Sequence, residues 1–155
     1  MAPSGALAEW LGTGLQNLLH RFDSGRRLLY ELRIPTRWPD FDALGHLNHA
    51  ACVTYLDEAR DHALRQTVGD FDTWPNVVAH VRLDYRREVR LGIREVTVRT
   101  RIIEVGRTSV RFQQELLGED GESSVEAEAV LVAWDPETRA PRSVTDAERA
   151  ALVGS

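Results

Sequence analysis

Two carboxylates, a glycine, two imidazoles and an asparagine fall within ten residues of this chain, in the run D-F-D-A-L-G-H-L-N-H from Asp40 to His49. A carboxylate can act as a general base or as a nucleophile. Asn48 is a good N-cap, because its side-chain oxygen can accept from an early helical N–H, and the residues after it read as a helix. The first turn of a helix carries N–H groups without intrahelical partners, and they can hold negative charge as it develops on an oxygen. The spacing therefore sets a base, Asp42, six residues ahead of a donor-rich helix tip, with Gly45, His46, Asn48 and His49 between or beside them.

Each residue also has a plainer use. Asp42 can hydrogen-bond its own turn, as loop aspartates do. Asp40 reads as structural, bonding loop amides. His46 and His49 are interchangeable at this level, since either imidazole can face the reacting group. Their i,i+3 spacing could suit a metal, but no further ligands gather with them, so no metal is expected. Glu58, on the same helix, is an alternative carboxylate, or a partner for an arginine. Cys52 lies on the apolar stripe of the helix, where a thiol is usually inert. The chain has no G-x-x-x-x-G-K-[ST], no G-x-S-x-G and no H-E-x-x-H, so phosphate-loop, serine-hydrolase and zincin chemistry have no support.

The elements that position these residues follow from periodicity. Leu7, Trp10, Leu11, Leu15, Leu18, Leu19 and Phe22 recur at helical spacing, predicting an N-terminal helix within residues 1–25, weakened by Gly12 and Gly14. Leu28, Tyr30, Leu32 and Ile34 alternate as a first strand, which Pro35 and Pro39 end. The central helix is expected from Asn48 to about Val68, with Cys52, Leu56, Ala59 and Ala63 as its buried stripe and Gly69 as its stop. Asp61 and Arg65 form an i,i+4 pair on its wet side. Four period-two runs follow: Val77 to Arg86, Val96 to Ile103, Val110 to Leu116 and Val125 to Ala133. Short turns at Gly92, Gly106 and Gly118–Gly121 favour antiparallel hairpins. T-D-A-E at Thr145 fits the capping box of a last short helix. The sum is an α+β domain over residues 26–155, an antiparallel sheet of about five strands curled around one long helix.

Composition bounds the rest. The 155 residues suffice for one core-bearing domain, and 43% hydrophobic with 28% charged content suits a globular chain. A net charge of −5 argues against nucleic acid or anionic membrane as a bulk partner. The single cysteine cannot form an intrachain disulfide, and with no bilayer-length apolar run and no signal-peptide pattern a cytoplasmic setting is expected.

The D-F-D-A-L-G-H-L-N-H run followed by Y-L-D-E-A-R resembles the hotdog-fold acyl thioesterases, in particular the 4-hydroxybenzoyl-CoA thioesterase and YbgC-like group. Asp40, Asp42, Gly45, Glu58, Ala59 and Arg60 fit its D-x-D-x-x-G and E-x-A-R pattern, and His49 stands where YbgC-like members carry a histidine. The resemblance implies a hotdog fold and hydrolysis of acyl-CoA, with Asp42 as base or nucleophile and the His49 amide polarising the thioester carbonyl. The His49 imidazole would orient water or stabilise the leaving thiolate. A second branch of hotdog thioesterases uses a helix carboxylate, which makes Glu58 the alternative. Coenzyme A enters as part of the substrate, not as a cofactor, and its phosphates need cations, for which Arg86, Arg87, Arg90 and Arg107 are the candidates. The resemblance also implies a homodimer or homotetramer with the site between subunits. The W-x-D-x-D and G-H-x-N character of the loop equally suits an acyl-carrier-protein thioesterase, and a non-catalytic acyl-CoA-binding module is a further reading. The hydratases of this fold carry D-x-N-P-x-H, which is missing here. Many relatives have Tyr at the position of Cys52 and Asn or Ser at that of Ala51, so the pocket of this chain differs from theirs.

Overall fold

The structure, a computed structural model, describes residues 29–70 and 72–154. The expected N-terminal helix lies outside the described residues. Strand β1 (Leu29–Pro35) leads through a 3-10 turn at Trp38–Asp40 into helix α1 (His49–Thr67). Strands β2 (Asn76–Tyr85), β3 (Glu95–Val105), β4 (Ser109–Leu117) and β5 (Ser123–Asp135) follow, then the two-residue β6 (Ala140–Pro141) and helix α2 (Asp146–Val153). The sheet is antiparallel, in the order β1-β3-β4-β5-β2 with β6 on the end of β5. Among the described residues, six strands and two α-helices are consistent with the hotdog outline; β6 is too short to announce itself by alternation.

The period-two pattern works because one face must be covered and the other can face water. Val96, Val98, Thr100 and Ile102 of β3 are buried, as are Val110, Phe112, Gln114 and Leu116 of β4. Helix α1 packs across β1, β3 and β4. Its Cys52, Tyr55, Leu56 and Ala59 join Ile34, Val96, Val98, Leu116, Val125 and Ala127 in one core cluster. A second cluster, at the far end of α1, gathers Leu64, Trp74, Phe112, Leu131 and Leu152 of α2. The expected caps are present. The Asn48 side chain accepts from the Ala51 N–H at 2.8 Å, and Thr145 and Glu148 form a reciprocal capping box. The Asp61–Arg65 pair closes at 2.6 Å.

In β2 the simple alternation is corrected. Val77 and Val81 were expected on one face. A register shift between Val78 and His80 puts Val78 opposite Leu131 and Val81 opposite Ala129, both buried, while Val77 faces Val132 on the other side. An irregularity in register changes which side chains face the core. Val78 and Tyr85 are each half exposed on that face.

Candidate active site

The loop between β1 and α1 folds back on itself, because Asp42 closes its own turn. Its N–H donates to the His46 carbonyl at 2.8 Å, and its Oδ1 accepts from the N–H groups of Leu44 and His46, each at 2.9 Å. Gly45 holds the corner at φ +76°. A Cβ there would meet only Leu91 Cβ at 3.7 Å, so glycine is required by its backbone angle and not by crowding. The plain structural use of Asp42 is therefore real. It engages only one oxygen: Oδ2 has no partner among the described residues, and the side chain is exposed. The His46 amide, opposed by a smaller desolvation effect and helped by the Leu44 amide, holds the Asp42 carboxyl below its ordinary value. It is a ready anion.

Asp40 has the opposite environment. It is buried, and it accepts from the Arg37 N–H at 2.9 Å, from the Arg37 guanidinium at 3.0 Å and from the Tyr55 hydroxyl. Burial pushes its carboxyl up, but Tyr55 and Arg37 together outweigh that and leave it below the usual range. Its carbonyl also receives the Asn48 N–H at 2.8 Å. Asp40 thus ties the loop to the side and the tip of α1, a structural role.

At that tip, Asn48 caps Ala51, and the N–H groups of His49 and Ala50 have no partner among the described residues. They are the donors the sequence reading called for. The two histidines, equivalent in sequence, are separated in space. His46 Nε2 pairs with Glu88 at 2.6 Å, and Glu88 is also held by Arg90. Arg90 first, then His46, keep Glu88 ionised against a small desolvation effect. His49 Nδ1 instead meets the hydroxyl of Tyr85, at the end of β2. Cys52 is 1% exposed, and burial pushes its thiol up to about 11, against the weaker pull of Tyr85. It is not a nucleophile at neutral pH.

Glu58 lies on the exposed flank of α1. Nine residues on from His49, it sits about 13 Å up the axis and half a turn round, so within one chain the two do not share a reaction centre. The segment after β2 runs beside the loop, with Leu47 N–H on the Val89 carbonyl at 2.8 Å and Leu91 N–H on the Gly45 carbonyl at 2.7 Å. It brings Arg87 and Arg90 to an open depression that Glu88, Leu91, Glu119 and Asp120 also line. Arg86, Arg87 and Arg90 each have an acidic partner, at 3.0 Å to Glu126, at 2.7 Å to Asp120 and on Glu88 respectively. Arg107 is not brought to them. It stands at the β3–β4 turn, while the other three adjoin the opposite end of β3. Tyr55, Tyr85 and Glu88 were missed by the sequence reading. Only Tyr55 left a signal, its spacing of three from Cys52 and four from Ala59.

Among the described residues no three His, Cys, Asp or Glu side chains group as a metal site, and no helix is long and apolar enough to cross a membrane. An ionised carboxylate with a free oxygen, a loop that fixes it and unpaired amides at a helix tip can together support attack on a carbonyl carbon.

Residues 36–152 match the family model of the thioesterase-like superfamily. In structure the chain is similar to a thioesterase from Thermus thermophilus solved with coenzyme A and zinc, at 29% identity and a TM-score of 0.72, covering 83% of this chain and 98% of that one. A predicted thioesterase from Bacillus stearothermophilus shares the fold at 24% identity and a TM-score of 0.74, over 81% and 94% of the two chains. A Staphylococcus aureus protein solved with CoA does so at 13% identity and a TM-score of 0.76, over 85% and 86%. No curated protein matches the chain.

Proposed function

The chain belongs to the thioesterase-like superfamily, and from that membership we propose that it hydrolyses acyl-CoA thioesters in the manner of the 4-hydroxybenzoyl-CoA and YbgC-like group. Water adds to the acyl carbon, the carbon–sulfur bond breaks, and the products are a carboxylic acid and CoA, whose sulfur takes up a proton. Asp42 serves as general base or nucleophile. The His49 amide holds the carbonyl oxygen as it gains charge, and the α1 dipole adds to that hold. Gly45 and Asn48 set the geometry of loop and tip. Arg86, Arg87 and Arg90, on the segment beside the loop, are the candidate cations for the CoA phosphates, and Arg107 would serve only at a different place on the assembly. The observation that carries the proposal is Asp42, held by its turn through one oxygen and left with the other free, in the loop that leads into unpaired helix-tip amides.

The test is a thiol-release assay across short-chain, long-chain and aromatic acyl-CoAs. Release is expected from at least one of them. Asp42→Asn and Asp42→Ala should lose at least about a hundredfold in kcat, the lower end for a lost acid–base group, with the circular dichroism spectrum unchanged, while Glu58→Gln should stay within about twofold. Full turnover by an Asp42 variant would remove that residue from the chemistry, and loss in Glu58→Gln would transfer the role to the helix carboxylate. Faster turnover of acyl-carrier-protein thioesters than of acyl-CoAs would favour the second enzyme reading. Tight acyl-CoA binding with no thiol released would make the chain a binding module.

A further inference from the structure

Helix α1 meets strand β2 at a junction that the loop chemistry does not use. Tyr85 ends β2 opposite Val125, on the same face of the sheet as the buried Val125 side chain. Its ring reaches the N-terminal turn of α1, where it lies 5.9 Å from the His49 ring at a tilt of 54°. The hydroxyl of Tyr85 bonds His49 Nδ1, and Cys52, three residues further along the helix, lies near enough to Tyr85 for each to shift the other's titration. A side chain from the helix and one from the strand thus meet through one oxygen. A phenol has one proton to give and lone pairs to accept with.

The chemistry of the two bonded groups sets the direction of the bond. Burial pushes Tyr85 up to about 12, with Cys52 adding to it, and Cys52 itself is pushed up to about 11. Both are protonated at neutral pH. A phenol oxygen is a far weaker acceptor than an imidazole nitrogen, so in the Tyr85–His49 bond the phenol gives its proton and Nδ1 accepts it. An imidazole that accepts at Nδ1 carries its proton on Nε2.

We propose that Tyr85 is a positioning residue that fixes the His49 ring and keeps it in the Nε2–H form, so that His49 offers a donor and not a base to whatever binds at the tip of α1. This rests on the hydrolase reading for its catalytic meaning: His49 donates a hydrogen bond to the carbonyl oxygen or to the departing thiolate, and proton abstraction is left to Asp42.

The experiment uses the full chain labelled with 15N at histidine, the His49 signals being identified by their loss in His49→Gln. Wild type should show a non-protonated, hydrogen-bonded Nδ1 and a protonated Nε2. Tyr85→Phe should move the Nδ1 resonance towards that of a solvated imidazole while the thermal unfolding midpoint stays within a few degrees. In turnover, Tyr85→Phe should lower kcat about tenfold, the size of one hydrogen bond, with KM within about twofold. Made in the His49→Gln background, the same substitution should change kcat no further. A proton on Nδ1 in wild type, an Nδ1 resonance indifferent to Tyr85→Phe, or a full tenfold loss on top of His49→Gln would each overturn the proposal. The nitrogen shifts decide the positioning claim without any turnover, so a chain that releases no thiol would refute the hydrolase reading and leave the ring geometry to be judged on its own signal.

Discussion

Asp42 and Asp40 stand two residues apart and titrate for different reasons, which makes their consequences separable. The Asp42 carboxyl is depressed by the His46 amide and then by that of Leu44. A depressed acid binds its proton at lower pH in the folded than in the unfolded chain. The stability its turn contributes is therefore complete above the ordinary aspartate value of about 3.9 and is lost as pH falls through the lower folded value. As a base it stays ionised over the same range. Asp42 should set no acid limb in kcat/KM above roughly pH 5; a limb above that pH which survives in both His46→Gln and His49→Gln would show the carboxylate titrating higher than its hydrogen bonds allow. At this scale the sequence was legible where partners are local. Asp42, Gly45 and Asn48 act within four residues of themselves, and their residue types alone announce a turn and a cap. Tyr85 meets His49 across 36 residues and Tyr55 meets Asp40 across 15, and nothing in a neighbouring residue marks either pairing.

The elements explain why the loop stays in place. Asp40 is a buried anion fixed to the third residue before it, to the tip of α1 through Asn48, and to the side of α1 through Tyr55. Removing the Tyr55 hydroxyl leaves that anion one donor short inside the protein, which costs about 1–3 kcal/mol. Tyr55→Phe should therefore lower the denaturant midpoint without changing the slope, and it should also lower kcat, because the Asp42 turn follows directly from Asp40. Unchanged stability would mean that Arg37 alone satisfies the carboxylate. Asn48→Ala removes the cap and should cost about 1 kcal/mol in the same measurement. Helix and strand boundaries were close to legible: α1 begins one residue after its cap, and each of β2 to β5 falls within two residues of its alternating run. The register shift in β2 was not, because both Val77 and Val78 are apolar and strand-forming, and alternation cannot choose between them.

On the scale of the whole molecule, the sheet has two unlike edges. The β1 edge is guarded in the usual way, by exposed Glu31 and Arg33 and by Pro35. Among the described residues nothing guards the β2 edge in that way: Val77, Val78, Ala79 and His80 are all exposed, with 37% of Val77 and 51% of Val78 in solvent. Tyr85 ends this strand, so whatever covers the edge also borders the tip of α1. The simplest cover is a second copy, whose own β2 is equally unpaired and which a two-fold axis would bring alongside in antiparallel pairing. That pairing would also place the site between subunits, as the family resemblance implies; the sequence marks the apolar run along this edge and says nothing of what covers it. The protein should sediment as a dimer or tetramer. Charging the edge with the double substitution Val77→Lys and Val78→Lys should give a monomer that keeps its helical signal and loses thiol release. A wild-type monomer with full turnover would show that one chain completes the site alone, and a charged-edge variant that stays dimeric would place the subunit contact on another face of the sheet.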